Sequence, residues 1–160
     1  MRSARYTACV ILILHNIRSA HNVGSMFRTA DAAGVSKIML SGYTPGPTDP
    51  RGKPRKEFVK VSLRAEQYVP WERTKTLAQA VKQLKKGNFT IIGLEQDPRA
   101  KNLFSYEPAG KKLALVVGNE VRGLSPQARS LCDTLVEIPM HGKKESLNVA
   151  VACGIALFAL

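Results

Sequence analysis

Residues 112–125 read KLALVVGNEVRGLS, and the first half of that stretch decides the fold. Leu113 to Val117 are apolar without a break, so no side chain is reserved for water. A strand written this way is covered on both faces, as in a parallel sheet between layers of helices. The run meets Gly118, where a missing side chain lets a ligand or another backbone approach. Ser125-Pro126 then opens a helix, with Ser as N-cap and Pro in the first turn. Working outward, unbroken runs of strand length recur at Cys9–Leu14, Lys37–Leu40, Thr90–Leu94 and Leu135–Ile138. Helical spacing lies between them. Val23, Met26, Phe27, Ala30 and Ala33 recur every three or four residues from Asn22 onward, and Gly34 suits a left-handed stop. Leu77, Ala80, Val81 and Leu84 repeat the pattern before Lys85, Lys86 and Gly87. Strands alternating with helices predict an α/β domain, a mostly parallel sheet flanked by helices.

The 160 residues suit one domain, expected to span 1–160, and 44% hydrophobic with 22% charged residues excludes a disordered chain. Lys and Arg number 24 against 12 Asp and Glu, a formal charge of +12. Such an excess points to a polyanionic partner, nucleic acid ahead of membrane. Three cysteines, Cys9, Cys132 and Cys153, are too few and too scattered for a disulfide framework or a metal cluster, so no metal is expected. They fit a reducing cytoplasm. The apolar stretch from Ala8 to Leu14 is strand-length and no membrane span is expected.

Gly42 to Arg64 breaks the pattern with Pro45, Pro47, Pro50 and Pro54 among Arg51, Lys53, Arg55, Lys56, Lys60 and Arg64. It reads as a long basic loop, too rich in proline for a helix or central strand, and suited to phosphate contact. Three loop-to-helix junctions stand out. In the first, Asn22 either caps its helix or faces a ligand, and Arg28 offers a planar fork for phosphate. His15 and His21 have no Asp or Ser companion at motif spacing. In the second, Glu120 sits between Gly118 and Gly123, which is neither a P-loop nor a dinucleotide fingerprint. In the third, Ser146 reads as the cap of an apolar helix with Asn148 in its first turn. Periodicity alone names no reaction.

At these residues the chain resembles the SpoU/TrmH family of RNA ribose 2′-O-methyltransferases within the SPOUT superfamily. Asn22, Arg28 and Ala30 match its first motif, Val117 to Leu124 its second, and Ile138-Pro139-Met140-His141-Gly142 with Ser146-Leu147-Asn148-Val149 its third. The resemblance implies a C-terminal trefoil knot, a rare exception among folds, with S-adenosylmethionine held largely by loop backbone at Leu94, Glu95, Gly118, Ile138, Met140 and Leu147. It implies Arg28 as leading catalytic residue, with Asn22, Glu120, Ser146 and Asn148 around it, and a methyl group passed to a ribose 2′-hydroxyl of tRNA or rRNA. A guanidinium stays protonated, so Arg28 is read as pairing with substrate phosphate rather than as the base. RNA contacts are expected from Arg51, Lys53, Arg55, Lys56, Lys143 and Lys144, without a separate RNA-binding extension. A homodimer through the first and last helices is also implied, with Val151, Ile155 and Phe158 serving either that contact or the core. The last helical pattern meets no stop signal by Leu160, and the natural helix is expected to continue. Two rival readings are a knotted RNA-binding or ribosome-assembly protein without activity, and methylation of a base nitrogen.

Overall fold

The computed structural model describes residues 9–160, so Ala8, where the first apolar stretch begins, lies outside the described residues. In chain order the elements are β1 (Cys9–His15), α1 (Ala20–Ala32), β2 (Lys37–Ser41), α2 (Lys56–Ser62) and α3 (Ala65–Tyr68). They continue with β3 (Trp71–Thr74), α4 (Leu77–Lys86), β4 (Thr90–Leu94), β5 (Lys101–Asn102) and a 3-10 turn at Leu103–Ser105. The last are β6 (Lys112–Val117), α5 (Pro126–Ser130), β7 (Thr134–Glu137) and α6 (Val149–Ala159). The strands form one seven-stranded sheet in the order β3-β2-β1-β6-β4-β7-β5, and each pairing is parallel.

The two faces of the sheet divide each apolar run between two cores. Leu12 and Leu14 of β1, with Leu115 and Val117 of β6, pack under α1, α2 and α6. Ile11 and Ile13, with Ala114 and Val116, pack under α4 and α5. Every position of the run therefore loses its water, which is why the sequence shows no alternation. Phe27 of α1 is fully buried and meets Phe58 of α2 edge to face, with ring centroids 5.1 Å apart. Each such side chain contributes about 1.5–3 kcal/mol of burial. The two helices approach so closely that a Cβ at Gly24 would stand 2.5 Å from the Phe58 carbonyl oxygen.

Several boundaries differ from the sequence reading. α1 begins two residues before Asn22, and its cap is Ser19, whose hydroxyl accepts from the Asn22 N–H at 3.1 Å. α6 is capped by Asn148, whose Oδ1 accepts from Ala150 N at 2.8 Å and Val151 N at 3.3 Å, so Ser146 is not the cap. The predicted basic loop contains a helix after all. All four of its prolines precede Lys56, so they punctuate the segment ahead of α2 and leave α2 free to bury Phe58. β3 and β5 are edge strands, half or fully exposed, and lack the apolar run that marks a central strand. The Ser125 cap with Pro126 at N1 and the left-handed Gly34 (φ 72°) are found as read.

Candidate active site

Strand order reverses around β1, which has β2 on one side and β6 on the other. In open α/β sheets ligands collect outside the carboxyl ends of strands near such a reversal. There, beyond β6, β4 and β7, lies a cavity of about 260 Å³. Leu94 and Glu95 close it from β4, Gly118 from β6, and Ile138, Met140 and Leu147 from the segment after β7. The six positions that the resemblance gave to a cofactor thus line one space. A Cβ at Gly118 would lie 2.8 Å from the main chain of Gly123 and from Leu124, so this glycine is a steric requirement of the folded-back loop.

Glu120 and Ser146 line the same cavity. The Glu120 carboxylate sits at the N-terminus of α1 and accepts from Arg18 N at 2.9 Å and Ser19 N at 2.9 Å. Asn22 Nδ2 donates to it at 3.2 Å, and Asn148 Nδ2 donates in turn to Asn22 Oδ1 at 3.3 Å. Partial burial opposes the Glu120 charge, but the hydrogen bonds from Arg18, Ser19 and Asn22 outweigh it and hold its pKa below the ordinary value. The positive end of the helix dipole acts in the same sense. Motifs one, two and three therefore meet through Asn22, Glu120 and Asn148. Arg28 does not join them. It is exposed, six residues beyond Asn22 on α1, and makes no hydrogen bond or ion pair among the described residues.

The loops around the cavity are tied by the side chain of Glu95, for which the resemblance implied a backbone role, and by Gln96, Asp97, Arg99, Arg129 and Thr44, which the sequence reading did not single out. Glu95 Oε2 accepts from Leu124 N at 2.6 Å, and Gln96 Nε2 donates to the Glu145 carbonyl at 2.7 Å. Asp97, a buried carboxylate, receives Arg99 Nε at 2.9 Å and Arg129 Nη1 at 2.9 Å, while Arg129 Nε donates to the Leu124 carbonyl. Hydrogen bonds from Arg99, joined by Arg129, hold the Asp97 carboxyl far below the usual carboxylate range. Thr44, fully buried, accepts from Ile17 N at 3.1 Å, and its one proton faces the Leu14 and Ser41 carbonyls. The long-range pairs among these lie 27 to 49 residues apart, and no local spacing reveals them.

His15 has a partner after all, Ser41 Oγ at 3.0 Å, but that serine is fully buried and burial lowers the His15 pKa. The pair braces the ends of β1 and β2 and presents no nucleophile. Among the cations assigned to RNA, Arg51, Lys53, Lys56, Lys143 and Lys144 are exposed, whereas Arg55 is half-buried with its Nε unpartnered. Among the described residues no helix is long and apolar enough to cross a membrane, and no group of three or more His, Cys, Asp or Glu stands together for a metal.

Residues 9–158 match the SpoU rRNA Methylase family, and the chain belongs to that family. The resemblance carried by the three motifs is borne out. The chain is 36% identical over 148 residues to the 23S rRNA (guanosine-2′-O-)-methyltransferase RlmB of Escherichia coli K12, covering 92% of this chain and 58% of that protein. RlmB of Vibrio vulnificus is 34% identical over 155 residues, covering 97% and 60%. The chain thus spans about 60% of the length of these curated relatives. Among solved structures, the AdoMet-bound rRNA methyltransferase from Sinorhizobium meliloti superposes with a TM-score of 0.84 at 27% identity, over 94% of this chain and 55% of that one. AviRb from Streptomyces viridochromogenes, in complex with AdoMet, gives 0.82 at 26% identity, over 96% and 59%. Both support the α/β fold with its parallel sheet.

Proposed function

We propose that this chain transfers a methyl group from S-adenosylmethionine to a ribose 2′-hydroxyl of RNA, with ribosomal RNA the first substrate to test. The observation that carries the reading is the Asn148–Asn22–Glu120 chain of hydrogen bonds standing against the cavity. The cavity fits the cofactor in chemical character: Gly118 opens the floor, Leu94, Ile138 and Leu147 give apolar walls, and loop backbone offers directed hydrogen bonds. When bound, S-adenosylmethionine supplies an activated methyl on a sulfonium that leaves as a neutral thioether.

The remaining steps belong to the protein. A ribose hydroxyl is a weak nucleophile, so the site must stabilise its developing alkoxide. Glu120, ionised and fully engaged, fixes the orientation of Asn22 and hence of Asn148. These amides and the Ser146 hydroxyl stand where the 2′-oxygen would be held. Arg28 remains protonated, so its role is to pair with a substrate phosphate and balance charge, and the proton passes to water or a neighbouring acceptor.

The same reading includes the trefoil knot, in which the segment between β7 and α6 threads a loop. The Gln96–Glu145 hydrogen bond, which holds that segment against the end of β4, supports it. It includes a homodimer through α1 and α6, supported by the exposed Val151 and Phe158, and a cytoplasmic location beside its RNA. Incubation with methyl-labelled cofactor and ribosomal or transfer RNA, followed by nucleoside analysis, is expected to yield a 2′-O-methylated ribose. A label on a base nitrogen would replace this reading with base methylation. Absence of both transfer and cofactor binding by calorimetry would favour the non-catalytic RNA-binding protein.

A further inference from the structure

Tyr43 lies just beyond β2, where the basic segment begins, and 60% of it is exposed. An exposed tyrosine on a loop is usually free to swing, but this one is fastened at both ends. Its backbone N–H donates to Asn16 Oδ1 at 3.3 Å, and its hydroxyl accepts from Asn119 Nδ2 at 3.1 Å. Both anchors are themselves fixed. Asn16 adopts a left-handed backbone (φ 56°) and its side chain also meets His15 Nε2 at 3.2 Å. Asn119 Nδ2 donates as well to the Asn16 carbonyl, and its Oδ1 accepts from Val121 N and Arg122 N, each at 2.9 Å. Gly42, with φ 64°, leaves room for Asn16, since a Cβ there would collide with the Asn16 side chain.

The placement matters as much as the rigidity. Asn119 and Glu120 are adjacent residues of one loop, so the residue holding the Tyr43 hydroxyl is next in sequence to the carboxylate that organises the site. On the other side, the chain runs from Tyr43 into the turn carrying Arg51 and Lys53, whose backbone N–H groups are both held by Asp49 Oδ1. A fixed aromatic ring between a cationic turn and a reaction centre is the arrangement that receives an unpaired base.

We infer that Tyr43 is a stacking platform for a nucleobase of single-stranded or extruded RNA, holding the nucleotide so that its backbone reaches the Asn119–Glu120 loop. A nucleotide drawn out of its helix loses its stacking neighbours, and a pre-fixed ring replaces one without a further loss of side-chain freedom. Stacking alone is tolerant of base identity. The hydroxyl proton, unused by Asn119, remains available to an acceptor on the base or sugar. This inference rests on the proposed RNA substrate, and its test is arranged so that the two fail separately.

The experiment compares the parent chain with Tyr43→Phe and Tyr43→Leu in fluorescence anisotropy. The probes are a labelled single-stranded RNA oligonucleotide of mixed sequence and a matched strand with abasic sites, with cofactor affinity measured in parallel. Tyr43→Leu is expected to weaken binding of the base-bearing strand about 5- to 150-fold, the effect of one lost stacked base. Tyr43→Phe, which keeps the ring but loses the Asn119 anchor, should fall between the parent and Tyr43→Leu. The abasic strand and S-adenosylmethionine should bind all three alike. Parent-like binding of the intact strand by Tyr43→Leu overturns the platform, as does an equal loss on both strands. If the parent methylates no RNA while the Leu and Phe variants still differ as expected, the enzymatic reading falls and the platform stands.

Discussion

Glu120 shows how one side chain joins three distant stretches. Its folded pKa is depressed, so the stability it contributes is present above the ordinary carboxyl value of 4.5 and is lost as pH falls through the lowered value. Glu120→Gln is therefore expected to be about 1 kcal/mol less stable in urea at pH 7, a figure reduced for its partial exposure. That gap should close below pH 4.5, and a gap independent of pH would refute the account. Arg28 presents the opposite case, an exposed guanidinium without a partner among the described residues. Arg28→Ala is expected to leave folding and cofactor affinity unchanged while abolishing methyl transfer. Near-normal turnover would remove Arg28 from the mechanism. The case for Arg28 rests on the motif alone, because the geometry leaves it outside the crevice.

Among elements, the α1–α2 contact tests the fold most directly. Glycine inside a helix costs about 1 kcal/mol relative to alanine, so Gly24 needs a reason, and the backbone of Phe58 supplies it. Gly24→Ala gains helix propensity yet forces α2 outward. The expected result is a net loss of about 1–3 kcal/mol by thermal or urea unfolding, and a stabilised variant would contradict the packing. The helix caps teach a related lesson. Asn22 and Ser146 both read as plausible caps, but Ser19 and Asn148 do the capping. Asn22 is consequently free to bridge Glu120 and Asn148, and Ser146 to line the cavity. Local chemistry offers several polar residues at a helix start, and only the path of the preceding chain selects among them.

For the whole molecule, the charge of +12 should appear as salt dependence of RNA affinity. Replacing Arg51, Lys53 and Lys56 together by Gln is expected to lower the slope of log affinity against log salt by about 2, since each contact to a single strand contributes about 0.7. An unchanged slope would place the RNA elsewhere on the surface. The parallel sheet behind this surface was legible from its unbroken apolar runs, because burial on both faces erases alternation. The edge strands β3 and β5 were not, since solvent on their open sides leaves no hydrophobic signature.

The sequence by itself determined the layered α/β architecture, the central strands, the major helices and the family, because each is written in contiguous residues. It also marked the glycine at Gly118 and the polar residues of all three motifs. Only the tertiary structure decided that Glu120 would be held by Arg18, Ser19 and Asn22 and that Asn148 would reach Asn22. It alone clamped Tyr43 between Asn16 and Asn119. These are hydrogen bonds across 27 to 126 residues of chain, set by the order and register of parallel strands. No local preference encodes them, for they form only when the carboxyl ends of β1, β2 and β6 stand side by side.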